Sequence, residues 1–98
     1  MRTYQQLIQN ERRAVELSID DQDGNTFTPS AAYAQVNDSN GTVVTVEAPA
    51  FIDGTTSAVY TIVGTAVTAN VGEYMIVWRL KKEGYTYYHA TDLEVVQV

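Results

Sequence analysis

The chain has 98 residues, no cysteine, and 12 acidic against 6 basic residues, for a formal net charge of −6. This length suits one domain, and the absence of cysteine excludes disulfide scaffolds and thiolate metal sites. The negative charge disfavours nucleic acid and anionic membrane surfaces as partners. The sequence has neither a signal-peptide pattern at its start nor an apolar run of 18 residues, so we predict no membrane-spanning helix.

The first eleven residues are mostly polar, with Tyr4, Leu7 and Ile8 as isolated apolar side chains. We interpret residues 1–11 as an N-terminal arm or edge strand that contacts a neighbouring subunit, and residues 12–98 as the folded domain. Tyr4, Leu7 and Ile8 are therefore candidate interaction residues. We expect that residues 1–10 can be removed without loss of the fold.

Alternation of apolar and polar residues predicts the strands in the first half of the chain. Residues 13–20, 31–36 and 42–47 show this period of two, which is typical of half-buried strands. A turn is predicted at Asp20 to Asn25, and Asn40-Gly41 favours a hairpin with a type I′ turn.

The second half centres on the stretch from Asn70 to Leu80, whose alternation predicts a strand with one wholly apolar face. That face comprises Tyr74, Ile76, Trp78 and Leu80. It needs an apolar layer about 10 Å away, which a second sheet would supply. Residues 57–63 form another predicted strand, and residues 65–71 form the connection to the other sheet. Lys81 to Gly84 closes a hairpin into a last strand, where the pattern predicts a β-bulge near Asp92 and Leu93.

About seven short strands at this spacing predict an all-β fold, a single immunoglobulin-like β-sandwich of antiparallel strands, with a small β-barrel as the alternative. The pattern of Asn70, Gly72 and Tyr74 resembles the tyrosine corner of immunoglobulin-like domains. Ile76 stands where an antibody domain has its second cysteine, and Trp78 lies on the sixth strand. The chain therefore resembles a cysteine-free relative of these domains.

The layout of the chain also resembles small immunoglobulin-like virion modules of tailed bacteriophages. The resemblance is carried by Leu7 to Glu11, Asp23 to Asn25, Asn37 to Gly41, Val71 to Tyr74 with Trp78, and Tyr87 to Val96. It implies a non-enzymatic structural protein of the virion, assembled in the host cytoplasm in many symmetric copies. Such modules decorate capsids or belong to the head-tail connector, neck or tail, so the implied partners are capsid, connector or tail subunits.

The residue types needed for catalysis are sparse. His89 is the single histidine, and a metal site would need carboxylates from distant loops to complete it. Asp21, Asp23 and Gly24 look calcium-like, but an EF-hand register would place residues unsuited as ligands at its first and twelfth positions, which favours a solvated turn. Phosphate-loop, nucleophile-elbow and HExxH motifs are absent from the sequence. We therefore predict no enzymatic activity, no cofactor and no metal.

The aromatic and basic residues near the last hairpin offer the strongest functional signal. Tyr85, Tyr87 and His89, with Tyr33, are predicted to form a flat platform suited to a protein partner, with cross-strand pairing inside the domain as the alternative. The same platform would suit a second function, recognition of carbohydrate or of a cell surface. Clustered lysines and Arg79 predict a positive edge that either docks an acidic neighbour or is a solvated edge that discourages aggregation. Arg79 and Lys81 complete the candidate interaction residues.

Overall fold

The computed structural model describes residues 2–19, 27–55 and 57–98, and this part of the chain forms eight strands and one helical turn. The elements are β1 (Arg2–Ile8), β2 (Arg13–Ser18), β3 (Ala31–Asp38), β4 (Val43–Pro49), β5 (Phe51–Asp53), β6 (Ala58–Val63), α1 (Thr65–Thr68), β7 (Gly72–Lys82) and β8 (Tyr85–Val96). The predicted turn at Asp20 to Asn25, with its calcium-like residues, lies outside the described residues.

The described residues form two sheets, one of five strands in the order β1-β8-β7-β3-β4 and one of three in the order β2-β6-β5. The three-stranded sheet corresponds to strands B, E and D of an immunoglobulin domain, and β8-β7-β3 corresponds to G, F and C. The prediction of an immunoglobulin-like β-sandwich is thus confirmed. Two features were not predicted, namely the eighth strand and the parallel pairing of β1 with β8. The helical turn α1 lies in the predicted crossing between the two sheets.

The core is organised around the predicted apolar face of β7. Ile76, Trp78 and Leu80 are completely buried, and Tyr74 is half-buried near the start of the strand. They form one apolar cluster with side chains of the other sheet, among them Val15, Leu17, Val59 and Val63. Burial of these side chains in one cluster is the main source of stability for a sandwich of this size.

The tyrosine corner is present at the start of β7. The hydroxyl of Tyr74 donates a hydrogen bond of 2.9 Å to the main-chain oxygen of Asn70. Between these residues Gly72 has φ of 150°, a conformation that side-chain-bearing residues rarely adopt. The sequence pattern therefore predicted both the position of this corner and its hydrogen bond.

The expected β-bulge in the last strand is absent. The pairing of β7 with β8 runs without interruption from Gly72 opposite Val95 to Lys82 opposite Tyr85. Thr91 breaks the apolar pattern of β8 because it faces the core as a polar residue, where its hydroxyl oxygen accepts a hydrogen bond from the Trp78 indole. The apparent slip in the sequence therefore reflects a buried polar pair and not an extra residue.

Two hairpin turns lie where the sequence predicted them, but the type of the first turn differs from the type expected. The Gly41 main-chain nitrogen donates to the Asp38 oxygen, and Gly41 has φ of 82° while Asn40 has negative φ. This is a three-residue loop with a left-handed glycine, not a type I′ turn. At the second turn, Glu83 and Gly84 have φ of 52° and 83°, as a two-residue type I′ turn requires.

The N-terminal segment is built into the sandwich. Strand β1 pairs with β8 along its whole length, and Leu7 is completely buried in the core. Leu7 is therefore corrected from a candidate contact residue to a core residue, because the alternation of β1 turns it toward the opposite sheet. Two further hydrogen bonds tie the segment that follows to α1, from the Asn10 nitrogen to the Thr68 oxygen and from the Thr68 hydroxyl to the Glu11 oxygen.

Candidate interaction surface

The outer face of the five-stranded sheet carries a row of aromatic and charged side chains. Arg79 on β7 lies directly opposite Tyr33 on β3 and opposite Tyr88 on β8. Even-numbered residues of β7 such as Trp78 face the core, so the period of two turns Arg79 outward. We call the side chains Tyr33, Glu47, Arg79 and Tyr88 the Arg79 surface.

Arg79 is held in one geometry by its neighbours. Its Nε and Nη2 atoms donate to the two carboxylate oxygens of Glu47, at 3.1 and 2.6 Å. The guanidinium carbon also lies 4.3 Å from the centre of the Tyr33 ring, in a cation–π contact. The hydrogen bonds from Arg79 lower the pKa of Glu47, and those to Glu47 raise the pKa of Arg79. Two hydrogen bonds and one stacking contact therefore orient a side chain that is 25% exposed.

Tyr88 flanks this cluster on the next strand and is 65% exposed. Lys81 follows Arg79 by two residues on the outward side of β7 and is exposed as well. Tyrosine and arginine are the residue types enriched at protein interfaces and at their energetic centres. The Arg79 surface thus combines an ordered arginine, Arg79, with a solvent-exposed aromatic side chain, Tyr88.

The structure separates the residues of the predicted aromatic platform. Tyr87 and His89 share the inward side of β8, where Tyr87 packs on Phe27 with ring centres 5.5 Å apart. Tyr33 lies on the opposite side of the sheet, against Arg79. Tyr33 is therefore not part of the predicted platform, whereas Tyr85, Tyr87 and His89 share one side of β8, on which Tyr87 and His89 are half-buried.

The remaining candidate residues lie at separate places on the surface. Tyr4 and Ile8 are exposed on β1, and the hydroxyl of Tyr4 lies 3.4 Å from a carboxylate oxygen of Glu94. Tyr85 is exposed at the tip of the β7–β8 hairpin. Sequence reasoning did not identify Tyr88 as a site residue. A two-residue turn at Glu83 and Gly84 already implies that Tyr88 pairs with Arg79, so this signal was available in the sequence.

His89 sits at the boundary of the core. It is half-buried, and its Nδ1 atom is buried without a hydrogen-bond partner among the described residues. Burial disfavours the charged imidazolium and lowers the pKa of His89. Burial of His89 therefore favours its neutral form. The same burial makes the side chain poorly suited to a surface contact.

A partly open cleft of about 500 Å³ lies on the same outer face, toward the end where β7 begins. Its lining includes Tyr4, Glu73, Met75 and Glu94. Within the described parts of the chain, no group of three or more histidine, aspartate or glutamate residues is arranged to hold a metal ion. No helix in those parts is long and apolar enough to cross a membrane.

No protein-family model matches the chain, and no curated protein sequence matches it. Among solved structures, the chain is similar to titin domain M7, with a TM-score of 0.49 and 8% identity over 98% of this chain and 87% of that one. It is also similar to titin M4, with a TM-score of 0.48 and 14% identity over 98% of this chain and 88% of that one. The sheet order and the tyrosine corner identify the fold of this chain as immunoglobulin-like.

Proposed function

We propose that this chain is a non-enzymatic interaction module that binds a partner protein through the Arg79 surface. The observation that carries the proposal is the fixed position of Arg79, bonded twice to Glu47 and stacked on Tyr33 beside the exposed Tyr88. Immunoglobulin-like folds host many functions, so the function of this chain depends on the residues of its surface.

The order within the Arg79 surface favours binding. An interface that must first immobilise long side chains loses about 0.5–1.5 kcal/mol for each of them. Here the hydrogen bonds to Glu47 have already restricted Arg79 in the free protein. Exposed Tyr88 adds a large apolar area with few rotatable bonds. We expect the partner surface to have an aromatic or acidic residue that faces both Tyr88 and the exposed ammonium of Lys81.

At a finer level, we propose that the partner is a subunit of a tailed bacteriophage virion, either a capsid, a connector or a tail protein. The support is the resemblance of the turn and core layout to small virion modules, carried by residues such as Gly41, Tyr74 and Trp78. The immunoglobulin-like sandwich and the acidic net charge are compatible with such a module. In this proposal the chain works in many symmetric copies on the assembled particle.

The first experiment is mass spectrometry of purified virions from the source of the chain, followed by cryo-electron microscopy. The virion proposal expects stoichiometric, symmetrically arranged copies. Absence of the chain from intact particles would contradict the virion assignment while leaving open an interaction module with another partner.

A second experiment tests the role of the Arg79 surface in particles that contain the chain, whichever virion subunit is the partner. Arg79→Ala and Tyr88→Ala should each reduce incorporation into particles at least roughly tenfold, as expected of central interface residues. Val71→Ala is the matched control, because Val71 is an exposed apolar residue outside the Arg79 surface. Thermal unfolding verifies that each variant is folded. Normal incorporation of both folded variants would refute a role for the Arg79 surface.

A further inference from the structure

The free edges of the two sheets differ in how well they are protected. The pairing of β4 with β3 contains two register shifts, and β4 ends at Pro49. Strand β5 has three residues. Bulges, proline and short length are devices that keep an edge strand from pairing with another chain. The β4 and β5 edges are therefore blunted.

Strand β2 lacks these features. It pairs with β6 at six consecutive residues without a register shift, and among the described residues no strand covers its other edge. Val15 and Leu17 are 2% and 1% exposed, whereas Ala14, Glu16 and Ser18 are exposed. The exposed side chains of this edge strand therefore belong to the even-numbered residues, which face outward from the sandwich.

Positive and negative charges are equal in number along β2 and the two residues that precede it. Residues 11–18 contain Glu11, Arg12, Arg13 and Glu16, two acidic and two basic residues, in a chain whose net charge is −6. Arg12 immediately precedes β2, and Arg12 and Glu16 lie two residues to either side of Ala14. Extension of the strand period through Arg12 would place all three on the same side of the chain. This strip does not share the repulsion that the rest of the acidic surface would exert on a second copy.

The order of the charges around Ala14 favours one pairing of β2 between two copies of the chain. In antiparallel pairing centred on Ala14, Arg12 of each copy lies opposite Glu16 of the other, and Ala14 lies opposite Ala14 on a two-fold axis. Parallel pairing in register would place each arginine against its own equivalent. The small Ala14 side chain leaves room for the close approach at the axis.

We propose that β2 pairs antiparallel with β2 of a second copy about a two-fold axis at Ala14. The pairing joins the two three-stranded sheets into one sheet of six strands across the dimer. In that sheet Ile62, which lies opposite Ala14 on β6, and the Ile62 of the second copy flank the two central Ala14 residues on either side. The Arg79 surface lies on the other sheet, so the dimer leaves it open and the two proposals stand or fall separately.

Cross-linking of the full chain tests the position of the axis. Residues directly opposite in antiparallel strands have Cα atoms about 4.5–5.5 Å apart, within the range that a disulfide spans. The chain has no cysteine, so Ala14→Cys introduces a single thiol. Under mild oxidation this variant should form a covalent dimer several-fold faster than Val46→Cys, the control on the exposed β4 edge.

Charge reversal tests the pairing itself, with dimer dissociation measured by analytical ultracentrifugation. Arg12→Glu and Glu16→Arg should each weaken the dimer at least roughly tenfold, because each creates two like-charge pairs per dimer. The double variant Arg12→Glu/Glu16→Arg restores both pairs and should return close to the affinity of the parent chain.

A parent chain that remains monomeric at concentrations of about 1 mM overturns the proposal. A dimer that is indifferent to single reversals, or whose affinity the double variant does not restore, also overturns it. Circular dichroism of each variant confirms the fold, and the cross-linking comparison remains decisive if one reversal variant unfolds.

Discussion

The indole nitrogen of Trp78 donates a hydrogen bond of 2.9 Å to the hydroxyl oxygen of Thr91 in the interior of the sandwich. The same hydroxyl oxygen lies 2.6 Å from that of Thr3 on β1. Thr91 therefore links three adjacent strands of the five-stranded sheet and satisfies the polar atom of the largest core residue. Without it, the Trp78 nitrogen would be buried with no partner.

Thr91→Val keeps the shape of the side chain but removes this hydroxyl group. We expect the free energy of unfolding to fall by about 1–3 kcal/mol, the cost of a buried unsatisfied donor. Urea denaturation monitored by Trp78 fluorescence measures the loss. Thr86→Val is the control, because Thr86 is exposed on the same strand and should change stability by less than about 0.5 kcal/mol. Equal effects of the two substitutions would show that the hydrogen bond is unimportant.

The N-terminal strand should contribute to stability, in contrast to the expectation from the sequence that residues 1–10 are dispensable. Leu7→Ala removes a completely buried side chain and should cost about 2–5 kcal/mol. Ile8→Ala is the matched control, since Ile8 is exposed on the same strand and should cost less than about 1 kcal/mol. If Leu7→Ala left the free energy of unfolding unchanged in chemical denaturation, β1 would not belong to the cooperative core.

His89 should make stability depend on pH. Its pKa in the folded chain is lowered from about 6.5 by burial, so the unfolded chain binds the proton more readily. Stability should therefore be complete above about pH 6.5 and should fall as the pH drops from there toward the folded-state pKa. Thermal unfolding between about pH 7.5 and 5.5 should show a larger loss for the parent chain than for His89→Gln. Parallel profiles of the two proteins would contradict this assignment.

The second hairpin turn contains a correctable strain. Glu83 has φ of 52° beside Gly84 at 83°, and left-handed backbone is unfavourable for glutamate but well tolerated by asparagine. Glu83→Asn creates the favoured Asn-Gly type I′ turn and should stabilise the chain by about 0.5–1 kcal/mol. Glu83→Gln removes the same charge and keeps the strain, so it should leave the melting temperature nearly unchanged. Equal stabilisation by both would attribute the gain to charge instead of backbone conformation.

Local pattern alone determined the strand framework of this protein. The period of two along β7 identified Ile76, Trp78 and Leu80 as core residues, because alternation is a property of neighbouring residues in one strand. Glycine and asparagine located the hairpins for a similar reason, since a turn depends on the conformation of a few consecutive residues. The Asn70 to Tyr74 pattern located the tyrosine corner, whose hydrogen bond spans four residues.

Tertiary structure decided the features that join distant parts of the chain. Glu47 and Arg79 are 32 residues apart, and their hydrogen bonds depend on how β4 and β7 flank β3. The parallel pairing of β1 with β8 buried Leu7. The hydrogen bond between Trp78 and Thr91 explained why a polar residue interrupts the apolar pattern of β8, an interruption from which the sequence had predicted a bulge. Strand alternation is encoded locally, whereas the partner of each strand depends on the free energy of the whole packed sandwich, to which residues far apart in sequence contribute together.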